Sequence, residues 1–161
     1  MPVYSQQSEG RLSTCHSDLQ KVFRRVLEVF DHTIECGFRN KDAQDNAVLT
    51  GHSQTPWPTS KHNKIPSEAV DAMPWPYSYA DLEGKNGKGV QLRALVRCGM
   101  FIGYVIATAD EMYAKGEIEA PITTGVDWDN DKNVIEERFL DLPHYQRRMP
   151  YKSDERKVIQ T

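Results

Sequence analysis

Residues 90–113 read VQLRALVRCGMFIGYVIATADEMY, and this run decides the fold class. Leu92, Leu95, Val96, Gly99, Ile102, Val105, Ile106, Ala109 and Met112 recur at three- and four-residue steps, so a helix over Val90–Tyr113 is expected to fill the core. Its most apolar part, Ala94–Ala109, carries Arg97 and falls short of the ~20 residues that cross a bilayer, so it reads as a core helix. Short β-type runs lie on both sides. Ala69–Met73 stands between Pro66 and Pro74, and Ile118–Thr124 and Phe139–Gln146 follow the helix. Helices first, then strands mixed with one long helix, predict an α+β domain.

Working outward, Ser17–Phe30 places Leu19, Val22, Phe23, Val26, Leu27 and Phe30 on one stripe, with Ser17 as its cap. Thr33–Phe38 reads as a short strand that ends against Arg39. Asn40 then caps a second helix through Leu49, stopped by Gly51. Pro56, Pro58 and Pro66 make residues 52–66 a loop long enough to carry function. Pro74–Tyr77 is an aromatic turn and Gly84–Gly89 a further loop. We expect one domain over residues 1–161, with a motif-bearing core of about 17–147 and a polar tail over 148–161 that begins near Arg147.

The chain has 161 residues, 39% apolar and 27% charged, the profile of a water-soluble domain. A net charge of −3 argues against a protein held mainly by nucleic-acid phosphates or anionic membranes, so neither nucleic acid nor stable membrane insertion is expected. Cys15, Cys36 and Cys98 are odd in number and far apart, which suggests reduced thiols. Residues 1–11 lack the apolar stretch of a secretory signal, so a cytoplasmic location is expected.

Two imidazoles and a carboxylate make a catalytic zinc set with a position left for water. His62 on a loop, Asp71 in a strand and His144 in a second strand can converge in that way, with Asp141 beside them as a general base. Arg39 offers a planar fork of donors for an oxyanion or a substrate carboxylate. Each residue also has a plain reading. His62 can be a surface histidine, Asp71 a buried ion-pair member, Asp141 and His144 an ordinary pair, and Arg39 a surface ion pair. The acidic loop Asp127–Asp131 imitates half of an EF-hand but lacks its Gly and its final Glu, so a solvated loop is the default.

Read as a set, the motifs resemble the zinc peptidases related to D-Ala-D-Ala carboxypeptidases and, more closely, the phage L-alanyl-D-glutamate endopeptidases that serve as endolysins. Gly37-Phe38-Arg39-Asn40 with Gln44 resembles the arginine motif of that family. Ser60-Lys61-His62-Asn63 followed by Ala69-Val70-Asp71 resembles its S-x-H…A-x-D motif. Asp127-Trp128-Asp129 and Phe139–Gln146 resemble its closing D-x-x-H segment, so the likeness spans about two thirds of the chain. The resemblance implies a small antiparallel sheet flooring a zinc cleft, with helices packed behind it. It implies His62, Asp71 and His144 as Zn²⁺ ligands, Asp141 and Arg39 as catalytic groups, and Ser60, Arg39, Gln44 and Trp128 at the substrate. Trp57, Trp75, Trp128 and Tyr145 are candidates for the cleft walls or the core.

Two departures stand out. Asn63–Ser67 lengthens the turn between the first His and the Asp, and Asp141 stands where many relatives have Glu. The implied partner is the peptidoglycan stem peptide, cut between L-Ala and D-Glu by a monomeric lysin that accumulates in the host cytoplasm and reaches the wall after release. The alternatives are a D,D-carboxypeptidase or D-Ala-D-Ala dipeptidase on the same scaffold, a non-catalytic wall-binding module stabilised by zinc, or a structural protein without metal.

Overall fold

The structure is a computed structural model and describes residues 1–148. Four strands, β1 (His32–Cys36), β2 (Ala69–Pro74), β3 (Ile122–Gly125) and β4 (Asp141–Arg147), form one sheet in the order β1-β2-β4-β3. Every pairing is antiparallel. Five helices accompany them: α1 (Gln6–Leu12), α2 (Ser17–Leu27), α3 (Lys41–Leu49), α4 (Tyr79–Glu83) and α5 (Leu92–Ala114). The α+β expectation holds, down to an antiparallel sheet with helices packed behind it.

Side chains alternate across a strand, which divides the sheet into two working faces. Ile34, Val70, Ala72, Ile122 and Tyr145 pack with Leu19, Val22, Phe23 and Val26 of α2 and with Phe101, Val105, Ala109 and Met112 of α5. Burying these side chains at about 25 cal/mol per Å² is the main force that holds the helices to the sheet. Asp71 and His144 alternate with those core residues and therefore project from the opposite face.

Several elements differ from the sequence expectation for local physical reasons. Helix α2 is capped by His16, whose side chain accepts from Asp18 N–H, with Ser17 as its first residue, and it ends at Leu27 and not at Phe30. The strand expected from Ile118 begins only at Ile122, because the Asp18 carboxylate accepts the backbone N–H groups of Glu119 (3.2 Å) and Ala120 (3.3 Å) and so removes them from strand pairing. Helix α1 was not anticipated from its polar sequence; it is capped by Ser5 and buries Leu12 and Ser8. Nor was α4, a single short turn of helix capped by Ser78.

Helix α5 is longer than its core role requires. Its C-terminal half buries Val105, Ile106, Ala109 and Met112, as expected, together with Cys98 and Phe101 further forward. Leu92, Leu95, Val96 and Gly99, expected inside, are exposed instead. A helix that is apolar all round can satisfy an inward stripe with one arc and leave another on the surface. By length and composition α5 could cross a bilayer, contrary to the reading from Ala94–Ala109 alone.

The sequence expects a polar tail from near Arg147, yet the sheet holds the chain further. Arg147 N–H donates to the Glu68 carbonyl (2.9 Å) and Arg148 N–H to the Pro121 carbonyl (2.8 Å). The remainder of the expected tail lies outside the described residues.

Candidate active site

Strand pairing builds the site from the sheet upward. Asp71 of β2 is the cross-strand partner of His144 on β4 and of Cys36 on β1, so three potential ligands form a row across the open face. Directly paired residues hold their Cβ atoms about 5 Å apart, close enough for both to reach one ion.

His62 enters from above the row on a single 3₁₀ turn, Lys61–Asn63. Ser60 caps this turn, accepting from His62 N–H at 3.3 Å, while Asn63 reaches back to the Ser60 N–H at 3.2 Å. The turn is tied to the neighbouring strand end: Arg39 N–H donates to the His62 carbonyl (2.8 Å) and the Asn63 side-chain amide donates to the Arg39 carbonyl (2.9 Å). His62 Nδ1 bonds the Gly37 carbonyl at 2.7 Å, which makes Nδ1 the protonated nitrogen and turns the Nε2 lone pair toward the row.

The three side chains meet. His62 Nε2 lies 3.1 Å from Asp71 Oδ1 and 3.3 Å from His144 Nδ1, and His144 Nδ1 lies 3.2 Å from the same Asp71 oxygen. Ligand atoms about 2.0–2.1 Å from a tetrahedral zinc stand about 3.3–3.4 Å apart, so this triangle fits such an ion within a few tenths of an ångström. The donor chemistry fits as well, two imidazole nitrogens and one carboxylate oxygen.

Charge reinforces the arrangement. Burial resists a charge on His62, but the Asp71 carboxylate overrides it and raises the imidazole pKa to about 10. Burial would likewise raise Asp71, and His62 and His144 together pull it well below the usual carboxylate range. The Asp71 carboxylate thus favours positive charge at this spot, and a metal ion held here would take the place of the proton on His62 Nε2. Asp141 behaves in the opposite way: burial, and then the negative Asp71, push its carboxyl up.

Arg39 does not stand free over the cleft. Its guanidinium donates through Nη2 to Asp71 Oδ2 at 3.3 Å and through Nη1 to Gln44 Oε1 at 3.2 Å, so it grips the carboxylate oxygen that His62 and His144 leave. Gln44, expected at the substrate, is fully buried, and its amide is engaged by Arg39, Asn63, Ser53 and the Thr55 carbonyl. It supports Arg39 from behind. Ser60 is also buried and serves as the cap beneath His62.

Trp128 leans on the His144 ring with centroids 5.3 Å apart and stacks on Phe139 at 6.2 Å. His144 Nε2 is held by Gln146 Oε1 at 3.1 Å. Of the other aromatic candidates, Tyr145 is wholly inside the core, and Trp75 is half exposed beside Arg97, which donates to its carbonyl. The sequence reading missed Cys36, whose sulfur shares a ligand-sized cluster with His62 and Asp71. It also missed Gly125, which packs against the Asp141 backbone, although an isolated glycine at a strand end is a sign of close backbone approach.

This architecture and site define a peptidase class. The solved structure of the Serratia marcescens L-Ala D-Glu endopeptidase ChiX has the same fold, with a TM-score of 0.59 at 24% identity, covering 90% of this chain and 89% of that one. The L-alanyl-D-glutamate peptidase of Escherichia phage T5 is 29% identical over 126 residues, which are 76% of this chain and 90% of that protein. The family model of phage L-alanyl-D-glutamate peptidases matches residues 3–95, and the chain belongs to that family.

Proposed function

We propose that this protein is a zinc-dependent endopeptidase that hydrolyses the L-Ala–D-Glu bond of the peptidoglycan stem, a phage endolysin. The observation that carries this reading is the triangle of His62 Nε2, Asp71 Oδ1 and His144 Nδ1, with sides of 3.1 to 3.3 Å. Those three residues would hold the ion. When bound, zinc supplies water acidified to a pKa of roughly 7 and polarises a carbonyl.

The chain's own residues do the rest. Asp141, on the strand that carries His144, takes the proton of the attacking water and returns it to the leaving amine; the upward push on its carboxyl suits a group that must both accept and release a proton. Arg39 fixes the orientation of Asp71 and lends positive charge where the scissile carbonyl oxygen becomes negative. Trp128 holds the His144 ring in place and forms one side of the substrate channel. The lysin acts as a monomer, made in the host cytoplasm and released to the wall at lysis.

The test is incubation of the zinc-loaded protein with defined muropeptides, with and without chelator. A new D-Glu amino terminus, abolished by chelator and restored by zinc, is expected. Asp141→Asn should keep its zinc while losing ~10²–10⁴-fold in rate. Release of free D-Ala would reassign the bond, and the absence of any cleavage by the zinc-loaded protein would overturn the hydrolase.

A further inference from the structure

The outward arc of α5 is an apolar surface that the fold leaves uncovered. Leu92, Val96, Met100 and Tyr104 follow one another at four-residue steps and are 75%, 52%, 56% and 48% exposed. Gly99, Gly103 and Ala107 fill the arc between them without adding polarity. The strip is about 18 Å long at 1.5 Å per residue. Only 22% of the most apolar window of this helix is buried inside the domain. Val29 and Trp75, 67% and 52% exposed, extend the patch sideways, tied in through Phe30, whose ring lies 5.6 Å from Tyr104 and 5.5 Å from the Arg97 guanidinium.

Within the strip, from Leu92 to Tyr104, the charged residues are both positive. Arg93 and Arg97 run along its edge one turn apart, and Lys88 stands in the loop that leads into the helix. Of the acidic residues near it, Glu83 pairs with Lys85 (2.7 Å), Asp110 with Lys132 (3.2 Å) and Glu111 with Lys115, whereas Glu28 and Asp31, on either side of Val29 and Phe30, are exposed. An apolar strip with a cationic margin and aromatic rings at its borders matches an interface between anionic headgroups and acyl chains.

We propose that α5 docks this protein flat on an anionic phospholipid surface, with Leu92, Val96 and Met100 entering the headgroup boundary and Arg93 and Lys88 meeting lipid phosphates. The docking is peripheral, since the opposite arc of the same helix is fixed in the core by Val105, Ala109 and Met112. Charge complementarity selects lipid over a second copy of the chain, because two such faces would bring Arg93 and Arg97 against their own like charges. The proposal does not depend on the peptidase reading, and its test does not use catalysis.

The experiment is sedimentation of the full-length protein with vesicles of equal parts phosphatidylglycerol and phosphatidylethanolamine, and with pure phosphatidylcholine. Binding to the anionic vesicles is expected, with at least tenfold less on phosphatidylcholine. Each cation contributes about fivefold, so Lys88→Gln and Arg93→Gln together should weaken binding by about 25-fold. Val96→Glu/Met100→Glu should abolish it while circular dichroism stays unchanged. As a check that needs no surface variant, brominated acyl chains should quench the tryptophan fluorescence of the unmodified protein, and Trp75→Phe should remove most of that quenching. Failure to bind anionic vesicles would overturn the proposal. So would undiminished binding of the Val96→Glu/Met100→Glu variant, or a dimer in light scattering that this variant dissolves.

Discussion

Gly125 and Asp141 are cross-strand partners in backbone contact: a Cβ on Gly125 would stand 2.4 Å from the Asp141 carbonyl oxygen and 2.8 Å from the Asp141 Cβ. The same Cβ would meet His144 Cβ at 3.1 Å. The cause is a bulge. Thr124 of β3 pairs with Tyr145, yet the next residue, Gly125, pairs with Asp141, so β4 loops out over Leu142–His144 and brings Asp141 and His144 to one place. The bulge also explains how Pro143 sits in an interior strand, where a ladder position would leave a carbonyl unpaired.

Gly125→Ala is therefore expected to push the bulge away from the site. Overpacking of this kind costs about 1–3 kcal/mol of stability. The displacement of Asp141 and His144 should lower kcat/KM by about 100-fold or more, since ångström-scale misplacement has effects of that size. Thermal unfolding with and without zinc, alongside muropeptide hydrolysis, checks both numbers. Full activity in a folded Gly125→Ala protein would show that the contact does not position the catalytic pair.

Arg39 bridges Gln44 and Asp71 with two different nitrogens, a fork that lysine cannot reproduce. Arg39→Lys should weaken zinc binding by about 10–100-fold, the usual penalty for losing a partner that orients a metal ligand. Gln44→Leu should do part of the same damage through Arg39, so the double variant should be no worse than Arg39→Lys alone. Titration with a zinc-competing chromophore reads the effect without any substrate. Additive losses would mean that Gln44 acts independently of Arg39.

Residue type and order made much of this legible. The 3.6-residue period of α2 and the C-terminal half of α5, the Asn40 cap and the strand between Pro66 and Pro74 appear where their patterns put them, because each is a local property. The convergence of His62, Asp71 and His144 was legible only as a set of motifs. The facts that create it are non-local: the pairing of Asp71 with His144, the bulge at Gly125 and the Gly37 carbonyl that aims His62. Gln44 illustrates the limit, since a polar side chain in a motif looks alike whether it touches substrate or holds the residue in front of it. Periodicity also could not tell that α2 and the sheet cover just one arc of α5.

Asp18 and Arg147 lock the last strand to α2. The Asp18 carboxylate is fully buried and accepts from Arg147 Nε at 3.0 Å as well as from the Glu119 and Ala120 amides. Asp18→Ala would leave two backbone amides without their acceptor and Arg147 with only the carboxylates of Glu68 (3.5 Å) and Glu119 (3.8 Å), at a cost of about 1–3 kcal/mol for each orphaned amide. Urea denaturation should show a reduced midpoint with little change in slope. Because Arg147 belongs to the strand that carries His144, zinc affinity should fall as well.

His32 lies in the core between Tyr4, Phe23 and Phe101, bonded to the Tyr4 hydroxyl at 2.5 Å and to the Phe30 carbonyl at 2.8 Å. Burial disfavours its charged form and lowers its pKa from 6.5 to about 4. In the unfolded chain the imidazole takes up a proton below about pH 6.5, while in the folded protein it stays neutral until about pH 4. Between those values the unfolded state binds more protons, so stability is full above pH 6.5 and is lost as the pH falls. At pH 5 the loss from this one group is about 2 kcal/mol. Denaturant melts at pH 7 and pH 5 on the protein and on His32→Gln measure it. The variant starts from a lower stability, having lost its aromatic contacts, but it should show a pH-dependent loss smaller by that amount, and an equal loss in both proteins would place the acid sensitivity elsewhere.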